Sequence, residues 1–103
     1  MFIGKVTGNV VATQKVKSVV GKKLLLVDVY NARSGEPVEL VNTGRSAVVI
    51  DTLGAGEGDL VLVTQGSSAR LTEATSDVPT DAVVIGIIDA VQIGSREVYK
   101  KRG

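Results

Sequence analysis

No stretch of this sequence sustains the three-to-four-residue apolar spacing of an amphipathic helix over an ordinary helix length. Apolar residues come instead in short runs rich in valine and isoleucine: "FIGKVTGNVVAT" (2–13), "LLLVDVYNA" (24–32), "RSAVVID" (45–51), "LVLVTQ" (60–65) and "AVVIGIIDAVQI" (82–93). Such runs, closed by turn residues, read as strands, and the missing helical period argues against an alternating β–α architecture. In the first run Gly4 and Gly8 are expected kink or bulge positions. "QKVKSVVGKK" (14–23), with Lys15, Lys17, Lys22 and Lys23, reads as an exposed connection. "RSGEP" (33–37) is a turn, since Gly35 admits positive φ and Pro37 resists helix. "VELVN", a turn at Thr43-Gly44, and "RSAVVID" read as a short strand and a further hairpin arm. The run 82–93 reads as one long strand, buried on both faces or bent at Gly86. Only "GSSARLTE" (66–73) offers a helical turn, capped by Ser67 or Ser68. The expectation is an all-β, closed or half-closed small barrel of five to six strands, with one short helix before the last long strand. Residues 1–93 make up that domain, and 94–103 read as a polar, basic tail.

The chain has 103 residues, of which 44% are hydrophobic and 22% charged. A monomer of this size buries roughly two thirds of its unfolded surface. The apolar surplus is therefore either a valine-rich core or surface meant for other subunits. The net charge of +1 predicts no strong field for nucleic acid or anionic lipid. Phe2, Tyr30 and Tyr99 are the only aromatic residues, a poor platform for stacking bases. Neither cysteine nor histidine occurs. That removes disulfides, most thiolate and imidazole metal sites, a cysteine nucleophile and the commonest general base. "MFIGKVTGNV" lacks the apolar core of a signal peptide, and "AVVIGII" (82–88) falls far short of the ~20 residues of a membrane span. The chain is expected to be soluble and cytoplasmic, with no cofactor, metal, nucleic-acid or membrane partner.

One segment has the look of a ligand site: "GAGEGDLVLVTQGSSAR" (54–70). A dinucleotide fingerprint needs G-x-G-x-x-G between a strand and a helix. Here Gly54, Gly56 and Gly58 alternate, Asp59 stands where the third glycine of that pattern would fall, and a strand follows. Glu57 and Asp59 would repel an anion, so the three glycines read as a tight turn between neighbouring strands. The segment Gly66-Ser67-Ser68-Ala69-Arg70 leaves two readings open. An anion could sit at a helix start with Arg70 as its charged partner, or the small residues could allow close packing against a neighbour. Asp51, Asp59, Asp81 and Asp89 read as turn caps or partners of basic residues rather than paired catalytic carboxylates. Ser67 and Ser68 have no histidine base, and no S-x-x-K occurs. No catalytic residue is expected.

Taken together, "VVIDTLGAGEGDLVLVTQGSSAR" (48–70) and "PTDAVVIGIIDAV" (79–91) resemble the EutN/CcmL family of bacterial microcompartment vertex proteins. "GKVTGNVVATQK" and "GKKLLLV" are similar to that family's first two strands. The resemblance spans residues 3–93, with Asn31 to Ser46 and the tail unmatched. It implies an OB-like β-barrel that is not an enzyme. It further implies a homopentamer that caps a five-fold vertex of a polyhedral shell whose facets are hexameric shell proteins. Gly54, Gly56 and Gly58 would be its signature turn, and Gly66, Ser67, Ser68, Ala69 and Arg70 a subunit contact or axial segment. The wording of these segments leans toward a metabolosome rather than a carboxysome. The alternative on the same fold is an OB-like binding module for nucleic acid or oligosaccharide.

Overall fold

The valine-rich runs pair into a closed five-stranded barrel with a two-stranded sheet beside it. The computed structural model describes residues 1–13, 22–33, 35–66 and 82–101. The barrel is built from β1 (Phe2–Val10), β2 (Lys23–Arg33), β3 (Glu39–Asp51), β4 (Leu60–Gln65) and β5 (Ala82–Ile87); β6 (Ala90–Ile93) pairs with β7 (Arg96–Lys100). Around the barrel the order is β1-β2-β3-β5-β4, and β1 closes it by pairing with β4. Neighbours are antiparallel except at the β3–β5 seam, where Ile50 meets Val83 in parallel. This is the OB-like arrangement.

Alternation along the strands decides the interior. Val6, Leu25, Val27, Val49, Val61, Val63 and Val84 turn inward and bury one another, with Phe2, Ala47 and Ile87 packed around them. A barrel this narrow has room only for side chains, and branched valine fills it without losing rotamer freedom it would use elsewhere. Each such burial is worth about 1.5–3 kcal/mol. Gly4 belongs to this packing. A Cβ there would lie 3.0 Å from Val27 Cγ2 and 3.1 Å from Val27 Cβ, so Gly4 marks close approach rather than a kink. Gly8 does adjoin a bulge, where the β1–β2 register shifts after Val6.

The expected turn at Thr43-Gly44 is instead a bulge inside one continuous strand, β3. Asp28 pairs with Ser46 but Tyr30 with Asn42, so β3 carries extra residues opposite Val29. Gly44 takes φ of 79°, Thr43 Oγ1 donates to the Val29 carbonyl at 2.8 Å, and the Asn42 and Ser46 side chains donate to the Asp28 carboxylate. These bonds satisfy the displaced backbone and let the strand run on.

The run 82–93 is likewise not one strand. β5 bulges at Ile85, next to Gly86, and the chain leaves the barrel at Ile88-Asp89 before β6 begins. The segment from residue 94 onward, read as a tail, holds β7. Ile93 pairs with Arg96 across Gly94-Ser95, and Gly94 supplies the φ of 62° that a two-residue hairpin turn needs at its first position. No α-helix occurs among the described residues; the short helix expected over 66–73 falls almost wholly outside them and is not borne out.

Candidate assembly surface

The glycine turn lies across one end of the barrel, and its chemistry faces inward. The Asp51 carboxylate, 4% exposed, accepts from the Leu53 amide at 2.9 Å and from the Ala55 amide at 2.8 Å. Asp59 Oδ2 accepts from the Gly56 amide at 2.9 Å, and the Gly58 amide donates to the Val6 carbonyl at 2.8 Å. Lys23 Nζ donates to the Ala55 carbonyl at 3.0 Å. Between these bonds the Ala55 side chain is driven fully into the valine core. Gly54 and Gly58 take φ of 83° and 91°, and Gly56 does not enter that region. The amides a phosphate would need are held by two carboxylates and by β1, so this loop is a plug for the barrel end.

Of the residues singled out in the sequence, the structure brings Gly54, Gly56 and Gly58 together with Asp51 and Asp59 in that plug. Gly66 leaves β4 exposed with φ of 70°. Ser67, Ser68, Ala69, Arg70 and Asp81 lie outside the described residues. Asp89 stands apart, its carbonyl accepting from the Lys101 amide at 2.7 Å. Among the described residues no group of three or more Asp or Glu side chains is placed to hold a metal ion, and no helix is long and apolar enough to cross a membrane. A cleft of about 120 Å³ at the plugged end is lined by Val6, Gly8, Asn9, Lys23, Leu25, Ala55, Gly56 and Glu57. Ligand sites usually need about 300–1,000 Å³.

The outside of the barrel carries a feature that sequence reading missed. Val10 pairs with Leu24, Leu24 with Ile50, and Ile50 with Val83, which sets four apolar side chains in one row across β1, β2, β3 and β5. They face away from the interior because their strand neighbours Leu25, Val49 and Val84 face in. Ile50 and Val83 form a buried cluster of their own, with Leu24 against it. Next to this row Leu26 pairs with Val48, and these side chains are 37% and 51% exposed; Ile85 is 39% exposed. A water-facing strand wall should be polar, as it is on β1 at Lys5 and Thr7. The signal lay in the consecutive apolar residues of "LLLV" and "AVVI", where a one-sided strand would alternate.

The family model for ethanolamine utilisation protein EutN/carboxysome matches residues 1–89. The chain belongs to the EutN/CcmL family. It is 43% identical to the carboxysome shell vertex protein CcmL of Synechocystis sp., over 99% of this chain and 96% of that one. It is 40% identical to the bacterial microcompartment shell vertex protein EutN of Salmonella typhimurium, over 98% and 96%. The solved structure of the GrpN pentameric microcompartment shell protein from Rhodospirillum rubrum superposes with a TM-score of 0.71 at 41% identity, covering 91% of this chain and 99% of GrpN. The EutN/CcmL barrel is thus shared over nearly the whole chain. Both the plug and the outer apolar row fall within the span of the family model.

Proposed function

We propose that this chain is a structural subunit of a bacterial microcompartment shell, not an enzyme, and that five copies form a ring capping a shell vertex beside hexameric facet proteins. The observation that carries the reading is full-length likeness to proteins named shell vertex proteins, one of them described as pentameric. The molecule supports it physically. Its glycine turn is committed to closing the barrel, the cleft at its plugged end is too small for an ordinary ligand, and Leu26, Val48 and Ile85 stand exposed on its outer wall. That full-length likeness also weighs against a nucleic-acid or oligosaccharide-binding module on the same fold. Identity is alike to a carboxysome and an ethanolamine-utilisation relative, so the choice of compartment does not follow from it. The same reading assigns Gly66, Ser67, Ser68, Ala69 and Arg70 to a subunit contact or the axial opening.

Native mass spectrometry of the purified chain tests this. The expected result is a mass of five subunits, against 10.7 kDa for one chain. A monomer at all concentrations would overturn the proposal. Ala69→Trp in the same measurement tests the segment assignment, which predicts monomers.

A further inference from the structure

We infer that the hairpin of β6 and β7 is a latch on the plug, and that the Asp59 carboxylate couples the closed latch to the ordered plug. The inference stands apart from the vertex reading, because it concerns how one chain holds itself. No ladder joins the hairpin to the barrel; β7 lies beside β3 without pairing to it. A two-stranded sheet alone is marginal in water, so its order must come from what it rests on. That support is slight. Val91, Ile93, Val98 and Tyr99 are half-buried, and no side chain of β6 or β7 is fully buried. Among the described residues its one polar tie to the barrel is Lys101 Nζ, 3.9 Å from Asp59 Oδ1. The Lys101 amide donates to the Asp89 carbonyl at 2.7 Å, so the residue that reaches Asp59 also closes the base of the hairpin.

The two oxygens of Asp59 are divided between plug and latch. Oδ2 accepts from the Gly56 amide at 2.9 Å, and Oδ1 turns to Lys101. The Asp59 carbonyl accepts from the Val6 amide at 2.9 Å, which fixes this end of the plug to β1. Lys101 therefore steadies the acceptor that Gly56 depends on. The chain leaves β5 at Ile88-Asp89, and the Ile88 amide donates to the Leu60 carbonyl at 2.8 Å. That bond lies on the barrel side of the connection, so the hairpin can swing from Asp89 with every barrel ladder intact. The ion pair is partly exposed, its side chains 40% and 24% accessible, and such a pair biases an equilibrium by at most about fivefold. Opening the latch is thus a local event, far cheaper than unfolding the valine core. Coupling of this kind is reciprocal, so a looser plug also loosens the hairpin.

Amide hydrogen exchange resolved to single residues tests this on the unaltered chain, Lys101→Gln and Lys100→Gln. Lys101→Gln is expected to speed exchange in β6 and β7, and at Gly56 in the plug, by about two- to fivefold. Lys100→Gln removes the same charge one residue from the tie and is expected to change neither. Salt at about 0.5 M should act on the unaltered chain as Lys101→Gln does, by screening the pair, and should add nothing to that variant. This salt arm needs no substitution and decides the matter even if a variant misfolds. A hairpin that loosens while Gly56 keeps its protection would overturn the coupling. A hairpin that does not loosen would overturn the latch, and equal effects from Lys100→Gln would trace the change to overall charge and overturn both.

Discussion

Gly54, Gly56 and Gly58 look alike in the sequence, yet the structure gives them different duties. Gly54 and Gly58 hold positive φ, where an alanine Cβ crowds the backbone at a cost of about 1–2 kcal/mol. Gly56 does not, and a Cβ there would meet nothing nearer than Asp59 Oδ2 at 3.9 Å. Gly54→Ala and Gly58→Ala should therefore each lower stability to urea by about that amount. Gly56→Ala should be neutral or stabilising by up to about 1 kcal/mol, because it removes only unfolded-chain freedom. Equal losses at all three positions would show that the turn works by something other than φ. That the glycines serve a turn was readable from their spacing and from the acidic residues among them. That Ala55 between them seals the core was not, because it depends on Asp51 reaching two amides and on β1 accepting from Gly58. The last of these contacts joins the turn to a strand distant in sequence.

Among the elements, β3 shows how a correct local signal can lead to the wrong structure. Thr43-Gly44 signals positive φ, and Gly44 has it, but the chain does not reverse. Reversal was avoided because β2 lies alongside and the carbonyl of Val29 takes the Thr43 hydroxyl. A bulge absorbs the extra residues, and no single-sequence pattern distinguishes that outcome from a hairpin turn. Gly44→Val, β-branched at φ of 79°, should cost about 1–2 kcal/mol in urea unfolding. Gly44→Asn should cost less, since asparagine tolerates the left-handed region. If the order of the two variants were reversed, the bulge would not be held by the φ of Gly44. The barrel order itself was legible only as a class. Five valine-rich runs in a short chain leave few closed arrangements, but the parallel seam of Ile50 and Val83 arises because β4 pairs with β1 and leaves β5 to lie between β4 and β3. The second sheet was hidden because β7 is mostly polar and reads as a tail, although Gly94 marks its turn.

For the whole molecule, the proposed ring of five must make stability depend on concentration. In the ring proposed here unfolding includes dissociation, so dilution favours the unfolded chain by mass action. When five chains separate as they unfold, stability per chain changes by four fifths of RT ln 10, about 1.1 kcal/mol for each tenfold change in concentration. With an unfolding entropy of about 2.1 cal/mol/K per residue over 103 residues, the melting temperature should rise by about 5 °C per tenfold increase. Differential scanning calorimetry over a wide concentration range reads this slope directly. Lys5→Glu, on the polar wall, should keep it. Ala69→Trp, predicted above to give monomers, should melt at one temperature whatever the concentration, because its unfolding no longer includes dissociation. A flat melting temperature in the unaltered chain, with a pentameric mass, would mean that the barrel melts inside an intact ring or survives its release, and that its own valine core suffices without neighbours.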